Sequence, residues 1–200
     1  MAERYSKLDV LGVDISQTAL KLARHNLELN VRQGNLDARA LAEVNFRRGD
    51  VLGDASVAGP QDWDVVISNP PYISRTSFGK DTTRSARIFE PKLAMVPQCK
   101  EVGRHGNMDT TGDVFYPRII DLAQRARAKV VVMEMADAAQ AHRIIAQVSS
   151  SLLEKSVKKI ELWHDNLYNV DLSIAGQIDD SVAFVPVGNG KARAVALILS

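Results

Sequence analysis

Trp63-Asp64-Val65-Val66-Ile67-Ser68-Asn69-Pro70-Pro71-Tyr72 is the stretch that decides how this chain folds. Its first half is a short apolar run of the kind that forms a strand buried in a sheet. Two adjacent prolines end it, because neither can donate a ladder hydrogen bond. Upstream, Lys7-Leu8-Asp9-Val10-Leu11-Gly12-Val13 reads as another short strand, ending at Asp14. Ser16 stands where a helix N-cap belongs, and Leu20, Ala23, Leu27 and Val31 recur at helical spacing, which predicts a helix over 17–30. Val44-Asn45-Phe46-Arg47-Arg48 is a further strand candidate, followed by Gly49-Asp50-Val51.

Downstream, residues 73–112 show little periodicity and predict a long segment without a clear element. Within it Arg75, Lys80, Arg84, Arg87 and Lys92 face only Asp81 and Glu90, which suits a solvated loop or a surface for an acidic or RNA-bearing partner. A helix over 113–127 follows, with Ile119, Ile120 and Ala123 on its apolar face. Lys129 to Met135 is a buried strand, and a helix over 138–153 turns Ile144, Ile145, Val148 and Leu152 inward. Lys158 to Trp163 is another strand. Val182–Val187 and Ala192–Leu199, about Gly188-Asn189-Gly190, predict a glycine-turn hairpin. Strands alternating with helices give an α/β domain: a parallel sheet covered on both faces, with a C-terminal antiparallel hairpin.

Composition agrees with one ordinary domain. The 200 residues are 46 % hydrophobic and 24 % charged, which excludes disordered and fibrous classes. A net charge of +1 excludes gripping nucleic acid by bulk charge alone. The lone Cys99 makes no internal disulfide and suits a reducing, intracellular compartment. No apolar run reaches the roughly 20 residues of a membrane span, and no signal-peptide core follows Met1. His25, His105, His142 and His164 lack paired-ligand spacing, so no zinc site is expected.

Ligand sites in such sheets lie at the C-terminal strand ends, which singles out Asp14, Asp50, Asn69 and Glu134. Asp14 is placed either to accept from ribose hydroxyls or to help Ser16 cap its helix. Asp50 is a candidate acceptor for an adenine amino group. Glu134 either orients the substrate or a neighbouring loop, or is a paired structural acid. Asn69-Pro70-Pro71-Tyr72 is more informative. The prolines hold the turn extended and remove its N–H donors, so the Asn69 side-chain oxygen and the Pro70 carbonyl are left to accept both hydrogens of one planar NH2 group. Tyr72 offers a flat face for stacking. Such a nitrogen is a poor nucleophile because its lone pair is delocalised. Drawing both protons to one side favours a pyramidal nitrogen aimed at an electrophile.

Those residues carry a family resemblance. Val10-Leu11-Gly12-Val13-Asp14-Ile15-Ser16, Gly49-Asp50 and Trp63 to Ile73 resemble the HemK/PrmC-type protein-(glutamine-N5) methyltransferases, which are class I enzymes of Rossmann-like fold. Phe89-Glu90-Pro91-Lys92-Leu93-Ala94, Gly112-Asp113-Val114-Phe115-Tyr116 and Val131-Val132-Met133-Glu134-Met135 agree with further segments of that family. The resemblance implies S-adenosyl-L-methionine as cofactor, bound by Asp14, Ile15, Asp50, Val51 and Asn69, with Asp14 at the ribose and Asp50 near adenine. It implies Asn69, Pro70, Pro71 and Tyr72 as the catalytic turn, with Asn69, Pro70, Tyr72 and Glu90 at the substrate. The implied substrate is the glutamine of a Gly-Gly-Gln tripeptide in a translation release factor, in cytoplasm or mitochondrion, with nucleic acid not a direct substrate. The Asn69–Tyr72 tetrapeptide is shared with adenine-N6 methyltransferases, which leaves a DNA or RNA methyltransferase as the alternative. A catalytically inactive binding module is another.

The chain also departs from that family. None of its twelve glycines forms the family's Asp-x-Gly-x-Gly loop, which precedes the segment matching Leu8–Asp14. The expectation is therefore a single, incomplete catalytic domain over 1–200, lacking the first strand, the glycine-rich loop and the helical substrate-recognition domain. Loss of a central strand predicts a gap or exposed edges in the sheet.

Overall fold

The computed structural model describes residues 8–54, 56–80, 82–98, 112–151, 153–166, 176–178 and 182–200. The chain divides into two compact units, Met1–Pro60 and Gln61–Ser200. In the first unit, β1 (Val10–Asp14) and β2 (Val44–Arg48) form a two-stranded parallel sheet in which Asp14 pairs with Arg48. Between them run α1 (Gln17–Arg32) and the short α2 (Ala40–Glu43). Ser16 caps α1 as its sequence predicts, its side chain accepting from the Ala19 N–H. Arg24 fastens the helix to the sheet by donating to the Phe46 carbonyl at 2.9 Å, its guanidinium 6.0 Å from the Phe46 ring centroid.

The second unit holds a six-stranded sheet in the order β3-β4-β8-β5-β7-β6. Its strands are β3 (Val65–Ser68), β4 (Val130–Glu134), β5 (Val157–Asn166), β6 (Gly176–Ile178), β7 (Val182–Val187) and β8 (Asn189–Leu199). β3 and β4 run parallel, with Ser68 opposite Met133. β8 lies antiparallel between β4 and β5. Helices α6 (Tyr116–Arg125) and α7 (Ala138–Ser149) turn Ile119, Ile120 and Ala123, and Ile144, Ile145 and Val148, into the core beside Val131, Met133, Val195 and Leu197. Leu152, expected on the same face as Val148, lies outside the described residues.

Two expectations change. β7 and β8 meet at Gly188, in the left-handed region at φ 84°, but they do not pair as a hairpin. β7 pairs in parallel with β5 and antiparallel with β6, while β8 pairs with β5 and β4. The reason is burial: Val195, Ala196 and Leu197 have no exposed surface, and a strand apolar on both faces gains most from a central position. The segment after Tyr72 also carries elements, namely α3 (Arg75–Lys80), α4 (Arg84–Phe89) and α5 (Lys92–Met95). Each spans less than two turns, too short for a 3.6-residue pattern to declare itself.

Among the described residues, β1 pairs with β2 alone and β3 ends the larger sheet, so both leave a strand edge open. Ile67 on the β3 edge is 76 % exposed and Val65 47 %.

Candidate functional site

Where β3 ends, Asn69 emerges exposed, Pro70 is buried and Tyr72 is half-buried. Asn69, Pro70 and Tyr72 line a cavity of about 700 Å³, together with Thr83 and Glu90 from the segment around α4 and Gln140 from α7. Pro71 is not among the lining residues. The structure thus brings Asn69, Pro70, Tyr72 and Glu90 to one hollow.

The turn is held by groups far away in sequence. The Tyr72 hydroxyl donates to Glu134 Oε1 at 2.9 Å, and Glu134 ends β4, the strand paired with β3. Tyr116, fully buried, donates its hydroxyl to the Glu134 carbonyl at 3.0 Å. The Tyr72 carbonyl accepts from Gln140 Nε2 at 3.4 Å. Gln140 is 3 % exposed and spends its remaining amide capacity locally: Nε2 also donates to Asp113 Oδ1 at 2.7 Å, and Oε1 accepts from the Ala136 N–H at 2.8 Å. Arg143 completes the chain with Nε to Asp113 Oδ2 at 2.5 Å and Nη2 to Oδ1 at 3.1 Å, a bidentate pair. Gly112 packs so close to the Tyr72 carbonyl that any Cβ there would overlap its oxygen. On the other flank the Ile73 N–H donates to the Met95 carbonyl at 3.0 Å.

Electrostatics follow from this packing. Burial, and then the hydrogen bond to Glu134, push the Tyr72 hydroxyl up to about 12. Tyr72 is thus a protonated donor that fixes a carboxylate, and no base. Burial raises Tyr116 still further. The hydrogen bonds that it donates to Asp113 hold Arg143 above its ordinary value. Glu134 is paired with the Tyr72 hydroxyl, which is common to the loop-orienting and the paired structural readings. Gln140 and Arg143 escape sequence reasoning because each sits inside a regular helix, and only the spatial meeting with Asp113 gives them a task.

The other candidates lie in the first unit. Asp14 closes β1 and accepts from the Gly49 N–H through its carbonyl, so it leaves the parallel pair at the same end as Asp50. Asp14 Oδ1 accepts from the Ser16 N–H at 2.6 Å, so the capping reading holds for that oxygen. Asp50 Oδ1 accepts from the Leu52 N–H at 3.0 Å. Ile15 is 42 % exposed, and Val51 is half-buried.

The sequence matches the family described as N-6 DNA Methylase over residues 2–134. It is 27 % identical over 176 residues to a Schizosaccharomyces pombe protein named probable MRF1 mitochondrial N(5)-glutamine methyltransferase mtq1, covering 87 % of this chain and 50 % of the relative. Proteins named release factor glutamine methyltransferase are 38 % identical over 84 residues in Bacteroides thetaiotaomicron (41 % of this chain, 25 % of the relative) and 36 % over 97 residues in Bacillus cereus (48 % and 30 %). The chain spans half the length, or less, of these curated relatives. A solved structure of the hMettl16 catalytic domain aligns with TM-score 0.48 and 15 % identity over 95 % of this chain and 54 % of that one.

Proposed function

This chain belongs to the N-6 DNA methylase family, and from that premise we propose that it methylates the side-chain amide of a glutamine in a protein. S-adenosyl-L-methionine is the methyl donor that membership of a methyltransferase family implies. The names of the curated relatives support glutamine as acceptor, and the Gly-Gly-Gln of a translation release factor as its setting. Cytoplasm or mitochondrion is the matching location. The two compact units serve as parts of a single catalytic domain.

The observation that carries this reading is the Asn69–Tyr72 turn at the rim of the cavity, pinned by Glu134 on one side and Gln140 on the other. Asn69 Oδ1 and the Pro70 carbonyl accept the two amide hydrogens of the glutamine. Pro71 keeps the turn free of a competing donor, and Tyr72 walls the substrate. Holding the NH2 group by both hydrogens stabilises the pyramidal nitrogen more than the planar one, which lowers the barrier rather than merely tightening binding. As the nitrogen gains its methyl group it becomes acidic and sheds a proton to water, so no dedicated base is needed.

The residues present fit the nucleoside end of the cofactor. Asp14 and Asp50 leave one end of a parallel strand pair, each with one carboxylate oxygen tied to its own turn. Their second oxygens serve as acceptors for a ribose hydroxyl and the adenine amine, with Ile15 and Val51 beside them. When bound, S-adenosyl-L-methionine supplies an electrophilic methyl group on a sulfonium sulfur.

The experiment is transfer of labelled methyl to a Gly-Gly-Gln peptide and, in parallel, to an adenine-containing oligonucleotide. Label should enter the peptide, and Asn69→Ala should lower kcat by about 10²–10³-fold, the usual cost of removing one transition-state hydrogen-bond partner. Label entering the oligonucleotide instead would turn the assignment to adenine.

A further inference from the structure

Helix α4 faces two ways. Its cap Thr83, together with Ala86 and the following Glu90, lines the cavity. Arg84, Ile88 and Phe89, on the other side of the helix, face solvent. Phe89 is 82 % exposed, Ile88 60 %, and Leu93 on α5 a further 38 %. Three large hydrophobic side chains left exposed within six residues of chain are of the kind that marks an interaction surface. Its border is cationic. Lys80, Arg84, Arg87 and Lys92 are all exposed, and Glu90 is the acid among them in the described residues. Arg87 spends one N–H on the Gly79 carbonyl at 3.2 Å, and the Lys92 ammonium rests 5.2 Å from the Phe78 ring centroid. Both keep further donors for a partner.

From this juxtaposition of apolar centre and basic border, on the helix that walls the cavity, we infer that α4 and α5 form the docking surface for an acidic, apolar polypeptide segment of the substrate protein. The inference rests on the proposed reading of the cavity and names the chemistry by which the same site chooses its substrate. Charge complementarity selects an acidic partner and steers its approach. The three hydrophobic side chains select polypeptide over nucleic acid, because Ile88 and Leu93 gain by meeting apolar side chains and offer phosphates nothing. Cavity and patch share one helix, so a segment docked on the patch delivers the residues next to it to the cavity.

The test separates docking from catalysis. Three fluorescein-labelled probes are titrated against the whole chain: a peptide rich in Glu, Leu and Phe, its counterpart with every Glu replaced by Lys, and a single-stranded RNA of equal length. The acidic peptide should bind at least tenfold more tightly than the lysine peptide, and the advantage should fall as salt rises. Phe89→Ser and the charge reversals Arg84→Glu and Arg87→Glu should each weaken it by about fivefold or more. These residues sit on the surface, so circular dichroism of the variants should match the parent. Equal binding of both peptides, or RNA binding that the same variants abolish, would overturn the inference. Because the readout is binding, it stands even if no methyl reaches glutamine. If methyl transfer does occur, the variants should raise KM for a protein substrate while leaving a bare Gly-Gly-Gln peptide unaffected.

Discussion

At the scale of single residues, Tyr72 is where structure and chemistry meet. Its hydroxyl is bonded to Glu134, and its proton is lost only near 12 against an ordinary value of 10. The folded state therefore holds this proton more tightly than the unfolded one. The associated stability is intact below pH 10 and is lost as pH rises through 12. Unfolding in urea across that range should show a decline that is shallower in Tyr72→Phe, with Tyr116 supplying the remaining slope. At neutral pH the same substitution should cost about 1–2 kcal/mol, since it strips Glu134 of a donor in a half-buried setting. Asn69 was legible from its neighbours alone, because two following prolines dictate backbone geometry without help from the rest of the fold. Gln140 was not, since nothing local distinguishes it from a solvent-facing glutamine.

Elements carry the next layer. Helix α7 begins beneath the turn, with Asp137 capping it at the Gln140 N–H, so the residue that clamps the Tyr72 carbonyl is itself set by a helix start. Replacing Gln140 with Leu leaves the Ala136 N–H without its acceptor and strips one donor from the Tyr72 carbonyl, while Asp113 keeps its bidentate pair with Arg143. We expect a loss of about 2–4 kcal/mol in denaturant unfolding, as for other broken buried networks. Gly112→Ala should displace the Tyr72 carbonyl and lower kcat while leaving cofactor affinity unchanged, as isothermal titration would check. On the rim, Thr83 Oγ1 accepts from the Ala86 N–H at 3.2 Å and starts a helix of only six residues. Thr83→Ala should cost that helix about 1 kcal/mol and speed exchange of the Ala86 amide roughly fivefold. The brevity of α3, α4 and α5 explains why the segment reads as structureless: a helix of less than two turns shows no repeat.

At the level of the whole molecule, the two units bury very different cores. Before residue 60, Leu20 and Val57 are the buried hydrophobic residues among those described, while Leu8, Leu22, Leu36 and Leu41 stay exposed. The second unit buries Val131, Met133, Ile144, Ile145, Val195 and Leu197 almost completely. Hydrogen exchange should therefore protect β4, α7 and β8 well above β1 and α1; equal protection of the two sets would contradict the burial pattern. The open edge at β3 carries Ile67 and Val65 toward solvent, an invitation to pair with other chains. Ile67→Lys should reduce light scattering at high protein concentration without lowering the unfolding midpoint.

The amino-acid order by itself determined the elements with a local signature: β1, α1, β2, β3, α6, β4, α7 and the proline turn that follows β3. Periodicity, caps and proline geometry act over a few residues, and so they can be read along the chain. Only the tertiary structure decided that β8 enters between β4 and β5 rather than pairing with β7. It alone decided that Tyr72, Asp113, Glu134 and Gln140 meet, although Gln140 stands 68 residues beyond Tyr72. Such choices are settled by which surfaces lose water together and which buried polar groups find partners, and both depend on the chain as a folded body.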